Sequence, residues 1–350
     1  MAAPDSSSIP VPQRWVRPLH VEPGHWKQQL PAKYLQLARK GNLQQLIVLL
    51  REHPEFLSKR GSHGRTLLWE AVRGGKMAAV TMLVDRGAEV NATGCYNSET
   101  HVQLTPYCAA RYYRHQAIVE YLWAHGSTLD IFRAAFLGDR GLVEQQLRQH
   151  PELLHAEDPH DDIYFMPLLS FAVAGGHADL TEFLIERGAD IGHYSAQLIH
   201  LAARLARRDL VDMLLANDAD PRAVGAGIFV TVANLDLLAY LLHRGVSPHG
   251  HPGAEMPPLV YVARGDKGER PDKVRLLLDH GADINAAGPN GKTALHYAVT
   301  AGYASTITLL LERGADTTLV DHEGHTALSL ARAAGKIASS EFWAAREATE

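Results

Sequence analysis

Only two cysteines, Cys95 and Cys108, occur in 350 residues. So low a count argues against a disulfide framework and makes a reducing cytoplasm the expected compartment. No stretch approaches the roughly 20 consecutive apolar residues that cross a bilayer, so no membrane association is expected. Runs of basic residues are missing too. With 34 Lys and Arg against 39 Asp and Glu, the formal net charge is −5, and nothing favours nucleic acid or an anionic lipid surface as a partner. The opening MAAPDSSSIPVPQRW lacks the apolar centre of a secretory signal. Neither H-E-x-x-H nor C-x-x-C occurs, which removes the sharpest metal signatures.

What the chain does have is a hydrophobic fraction of 46%, 20 histidines and an internal repeat. Residues 280–336 read HGADINAAGPNGKTALHYAVTAGYASTITLLLERGADTTLVDHEGHTALSLARAAGK. Two copies of one unit lie in this stretch: Thr-Ala-Leu, an Ala-rich helix, a Gly, a Leu-rich helix, then Gly-Ala-Asp. Thr293 recurs as Thr326, 33 residues on. Thr caps the first helix, Ala lets two helices approach closely, and Gly302 and Gly335 stand where a left-handed C-cap is needed. Leu309, Leu310 and Leu311 give the second helix its apolar side.

This unit resembles the ankyrin repeat, whose period is about 33 residues with a T-P-L-H-x-A signature. The pattern persists with decay towards the N-terminus. LVDRGAEVNA (83–92), FLIERGADIG (183–192) and LLANDADPRA (214–223) read as second-helix exits. TLLWEAVRGGK (66–76), LTPYCAARYYRH (104–115), PLLSFAVAGGH (167–177) and AQLIHLAARLAR (196–207) read as first helices. Residues 37–57 and 134–154 resemble each other and share His-Pro-Glu-x-Leu. The resemblance implies an all-α solenoid of about nine to ten repeats with β-hairpin or loop fingers, including degenerate caps. Residues 1–33 form a Pro-rich arm ahead of it, either pinned by Trp15 and Trp26 or loose, and residues 34–350 form the solenoid with a degenerate C-terminal cap.

Three departures stand out. Arg114 takes a position that the signature gives to Gly; Gly225 and Gly227 fall inside an expected helix; and 265–273 adds length between two helices. The repeat also accounts for many histidines. His200 and His296 occupy the fourth position of T-P-L-H, His115 and His177 open second helices, and His53, His125, His150, His243 and His280 lie at helix ends. His63, His101, His155, His160, His193, His249, His251, His322 and His325 fall in the connections instead.

Finger length is the most informative irregularity. From the helix-ending position to the next cap the interval is 12 residues in the regular repeats, 281 to 293 and 314 to 326. It is 18 from Gly87 to Thr105 and 17 from His150 to Pro167, but 3 from Gly126 to Leu129 between them. A deleted finger flanked by two long ones predicts a notch walled by 91–103 and 155–166, with Asp130 and Arg133 on its floor. That would set Cys95, Tyr96, Glu99 and His101 against His155, Asp158, His160, Asp161 and Tyr164.

Two functions fit. The resemblance implies a protein-interaction module that binds a protein partner through finger tips and the concave face, with no cofactor. The alternative is a small-molecule binder or enzyme with an acid–base site in the notch. Its catalytic candidates would be His101, His155, His160 and Asp158, with Arg133 holding an anion. His-x4-His is not a metal-ligand spacing, so no metal site is expected. Cys95 is a nucleophile only if His101 lowers its pKa, the simpler reading being an exposed loop thiol, and Cys108 reads as core. GPNGKT (288–293) lacks the first Gly of a phosphate-binding loop. Tyr96 and Tyr164 suit an interface, and Tyr112 and Tyr113 suit local packing.

Overall fold

A computed structural model describes residues 30–95, 102–158, 166–250, 256–265 and 268–333. The chain divides into two compact units, Met1–Ala189 and Asp190–Glu350.

The first unit holds five antiparallel helix pairs: α1 (Ala32–Lys40) with α2 (Leu43–Glu52), α3 (Leu67–Arg73) with α4 (Met77–Asp85), α5 (Pro106–Tyr112) with α6 (Gln116–Ala124), α7 (Ile131–Leu137) with α8 (Arg140–Gln149), and α9 (Leu168–Gly175) with α10 (Ala178–Glu186). The second holds α11 (Ser195–Arg204) with α12 (Arg208–Ala216), α13 (Gly227–Thr231) with α14 (Leu235–His243), α15 (Pro258–Arg264) with α16 (Pro271–Asp279), α17 (Ala294–Ala301) with α18 (Ala304–Glu312), and α19 (Ala327–Ala333). Nine pairs and the first helix of a tenth are therefore present among the described residues. Gly335 and the remainder of the expected cap lie outside them.

The first helices are short because each is cut at both ends. Thr66 and Thr105 accept hydrogen bonds from the amides of Trp69 and Cys108, and Asp130 accepts one from Arg133. At the other end the chain turns after about two helical turns. Ala71, Ala109, Ala134 and Ala172 are fully buried, so neighbouring first helices pack nearly backbone to backbone. A Cβ on Gly74 would lie 2.0 Å from the Arg39 carbonyl oxygen, and one on Gly175 would lie 2.2 Å from that of Phe136. Those contacts explain the glycines of the helix-to-helix turns by space as much as by backbone conformation.

The histidines assigned to the repeat do structural work. His177 Nε2 donates to the Phe136 carbonyl at 3.0 Å, and its ring fills the space beside Gly138. His296 forms a capping box with Thr293. His53 and His150 end α2 and α8 and each faces the Glu two residues on, at 3.4 and 3.3 Å.

Several expectations shift. The first helix begins at Ala32, inside the stretch assigned to the arm, and Leu30 is already buried with its amide bonded to the Arg60 carbonyl. Trp15 and Trp26 lie outside the described residues. The cap of α7 is Asp130 rather than Leu129, because only the carboxylate can accept from the Arg133 amide; Leu129 is buried instead. Arg114 does adopt the left-handed conformation, with φ 60°. Next to Gly225 and Gly227, α13 is reduced to five residues, the shortest α-helix described.

Candidate functional site

The two long fingers have ordered bases. In the first, strand β1 (Gly94–Cys95) pairs antiparallel with β2 (Gln103–Leu104), Gly94 facing Leu104 and Cys95 facing Gln103. In the second, Glu157 bridges Pro167, and the Asp158 amide donates to the Met166 carbonyl at 2.9 Å. Tyr96, Glu99, His101, His160, Asp161 and Tyr164 belong to the segments that these bases carry, and they lie outside the described residues.

The first base is tied to the repeat before it. Trp69 Nε1 donates to the Leu104 carbonyl at 2.9 Å, Arg65 Nε donates to the Cys95 carbonyl at 2.7 Å, and Arg60 donates to the Thr93 carbonyl. Arg65 also pairs with Glu70 at 3.1 Å and lies over the Trp69 ring. Burial lowers the pKa of Arg65, and Glu70 opposes that shift. Between the fingers, Asn91 donates to the Gly126 carbonyl and accepts from the Thr128 amide, which holds the shortened connection in place.

Arg133, expected on the floor of the notch, is buried between the two finger bases. Its side chain has no exposed surface, and neither has that of Asp158. Nε donates to the Gln103 carbonyl at 2.9 Å, while Nη1 and Nη2 donate to Asp158 Oδ1 and Oδ2 at 2.6 and 2.8 Å. Nη1 also lies 3.4 Å from Asp130 Oδ2, and the guanidinium sits 5.4 Å from the Phe171 ring centroid. Burial disfavours the charge, but Asp130 and Asp158 outweigh it and raise the Arg133 pKa above its ordinary value. One side chain thus bonds the base of the first long finger and the base of the second, across the repeat that lacks a finger.

This arrangement corrects the floor of the notch. Arg133 cannot hold an external anion, because Asp158 already neutralises it and solvent does not reach it. Asp158 cannot serve as an acid–base group for the same reason. Asp130 is committed to capping α7 and remains half-buried, whereas His155 is exposed at the end of a 3-10 turn, Pro151–His155. Cys95 is buried rather than exposed, and Gln103 Nε2 donates to its sulfur at 3.0 Å. Burial pushes the Cys108 thiol up to about 12, in keeping with a core position. Asp321, Glu323 and His325 also gather their ligand atoms within 4.8 Å. There Asp321 accepts from the amides of Glu323 and His325, and Lys292 Nζ lies 3.6 Å from its other oxygen; these are the bonds of a turn with a cation already beside it.

Three fourth-position side chains of the T-P-L-H unit share a role, whereas His200 bonds the Thr231 hydroxyl of α13 instead. Trp69 donates to Leu104 O, His296 Nε2 donates to His325 O, and Arg133 reaches Asp158: each fastens the base of the following finger. Cys108 holds that position in the repeat whose following finger is deleted, so it has no base to fasten. The aligned Asp-Ile-Phe-Arg at 130–133 was the sequence signal for the role of Arg133.

Family models described as ankyrin repeats (3 copies) match residues 228–321 and 260–339, and one described as ankyrin repeat matches 63–95. These stretches are ankyrin repeats. Among curated ankyrin-repeat relatives, it is 25% identical over 212 residues to an ankyrin repeat and KH domain-containing protein of Caenorhabditis elegans, covering 56% of this chain and 8% of that protein. It is 26% identical over 207 residues to a similarly named protein of Caenorhabditis briggsae, covering 49% and 8%. A putative palmitoyltransferase of Danio rerio is 30% identical over 151 residues, covering 40% and 23%. The chain thus spans less than a quarter of the length of each of these relatives. Among its described residues, no helix is long and apolar enough to cross a membrane.

Proposed function

We propose that this ankyrin-repeat chain is a protein-interaction module whose partner is gripped by the two long fingers and the adjoining concave face. The observation that carries this reading is the Arg133 bridge. It ties Gln103 to Asp158 and so gives both finger bases a common, buried anchor. Finger bases held by such an anchor need no rearrangement on binding, which favours affinity without a cofactor. Tyr96, Glu99, His101, His155, His160, Asp161 and Tyr164 are the proposed contacts, with Arg133, Asp158 and Asp130 holding them rather than touching the partner. The scarcity of cysteine, two in 350 residues, supports the cytoplasm as the compartment.

The test is proximity cross-linking from a photoreactive residue at position 96 or 164, in the full chain, with quantitative mass spectrometry. Replacing 96–101 and 159–165 by Gly-Ser segments should remove a defined, competable partner while circular dichroism and melting stay unchanged. Retention of the same partner by the replaced chain would sink the reading.

A further inference from the structure

Each helix pair of the first unit has two edges: the finger bases at the start of the first helix, and the helix-to-helix turn at its end. The turn edge of the first three repeats carries Arg39 and Lys40, then Arg73 and Lys76, then Arg111 and Arg114. These turns touch one another. The Lys76 side chain packs beside Gly41, with a Cβ there 3.0 Å from its Cγ and Cδ, and the His115 ring packs beside Gly75 at 2.8 Å. The cations therefore form one row that crosses three repeats.

Arg39, Lys40, Lys76 and Arg114 are exposed, and among the described residues no carboxylate pairs with any of them. The neighbouring acids are spent elsewhere: Glu70 is buried against Arg65 and Arg73, and Asp139, 3.9 Å from Arg111, marks the end of the row. Turn cations of other repeats are answered locally, Arg140 by Glu144, Arg207 by Asp209 and Arg208 by Asp212. A second, independent observation concerns Arg114. It holds φ 60° at a position filled by Gly41, Gly75, Gly138 and Gly176 in the other four turns of the unit. The backbone here tolerates a strained residue, and the residue present is a cation. Tyr112, which is 47% exposed, stands beside it.

We propose that this row binds an extended, acidic peptide segment of a partner protein, with a carboxylate at about every third residue. Packed repeats repeat at about 10 Å, and a chain in the extended polyproline II conformation advances about 3.1 Å per residue with three residues per turn, so every third side chain returns to the same face about 9 Å on and meets the next turn. The whole chain carries net charge −5, which leaves this row as a local field of opposite sign that steers acidic ligands to one edge. The surface lies at the opposite ends of the first helices from the finger bases, so it is distinct from the finger-borne contacts proposed above.

The experiment is fluorescence anisotropy on the full chain at low salt. The probe is a labelled twelve-residue peptide with Glu at every third position and Gly or Ser between. The controls are the same composition with the four Glu contiguous, and a labelled oligothymidine. Saturable binding of the spaced peptide should weaken about tenfold in Lys40→Gln/Lys76→Gln/Arg114→Gly. Arg114→Gly alone should weaken binding and raise the melting temperature together, a pairing that loss of structure cannot produce. Replacing 96–101 should leave the affinity unchanged. The proposal is overturned if the spaced peptide does not saturate, if the triple variant binds it equally well, if binding needs 96–101, or if either control binds as tightly, which would mark a general polyanion surface.

Discussion

Arg133 and Asp158 show how a single pair can decide the character of a site. Both side chains are completely buried, and two parallel hydrogen bonds join them. Removing one partner leaves the other charge desolvated. Asp158→Ala should therefore cost about 3–5 kcal/mol in urea denaturation. The volume-matched Arg133→Met/Asp158→Leu should recover most of that loss, since an apolar pair carries no desolvation penalty. A loss below about 1 kcal/mol for Asp158→Ala would mean that water reaches the pair. The charged pair does not follow from stability alone. What it supplies is direction: Arg133 also reaches the Gln103 carbonyl, which an apolar side chain could not bond.

At the scale of the element, the helix-to-helix turns carry the tightest constraints. Gly265 ends α15 with φ 70°, and a Cβ there would lie 2.2 Å from Tyr303 Cε2, while the Tyr303 hydroxyl donates to the Gly265 carbonyl. Gly87 has φ 88° but nothing within 4 Å of an added Cβ. Gly87→Ala should thus cost about 1–2 kcal/mol, the backbone term by itself. Gly265→Ala should cost about 1–3 kcal/mol more from overpacking, and Tyr303→Ala in the same chain should remove that excess as a non-additive term. Equal costs at the two glycines would show that the ring swings aside. Fingers obey a looser rule. Trp69, Arg133 and His296, each the third residue of its helix, pin the base of the finger that follows, and finger length varies beyond that point, as loop closure grows only slowly with length.

For the whole molecule, the repeats make contacts mainly with their neighbours, so stability is a chain of local terms. Hydrogen exchange on Asp158→Ala should show faster exchange in α5, α7 and α9 of the first unit, with α15, α17 and α19 of the second unchanged. Uniform acceleration through both units would contradict the local picture. The same logic explains why the family was readable from the last repeats first. Residues 280–336 keep both the cap and the glycine of each turn, whereas α13 has lost its regular length to Gly225 and Gly227.

The sequence by itself determined the helix pairs, their order and most of their caps, Asp130 of α7 excepted, because helical periodicity and capping depend on residues three or four apart. It also determined the unequal fingers, since a 33-residue repeat exposes any insertion or deletion by counting. Histidines at the fourth position and at the opening of second helices were legible for the same reason. Only the tertiary structure decided what Arg133 does between the two finger bases. Arg133 and Asp158 stand 25 residues apart, and Arg133 and Gln103 stand 30 apart. Nothing local distinguishes a buried arginine bridging two fingers from an exposed one awaiting an anion; that distinction arises when stacked first helices exclude water from the guanidinium. The burial of Cys95 has the same origin, since a two-residue strand becomes interior only once Arg65, Trp69 and Gln103 close over it.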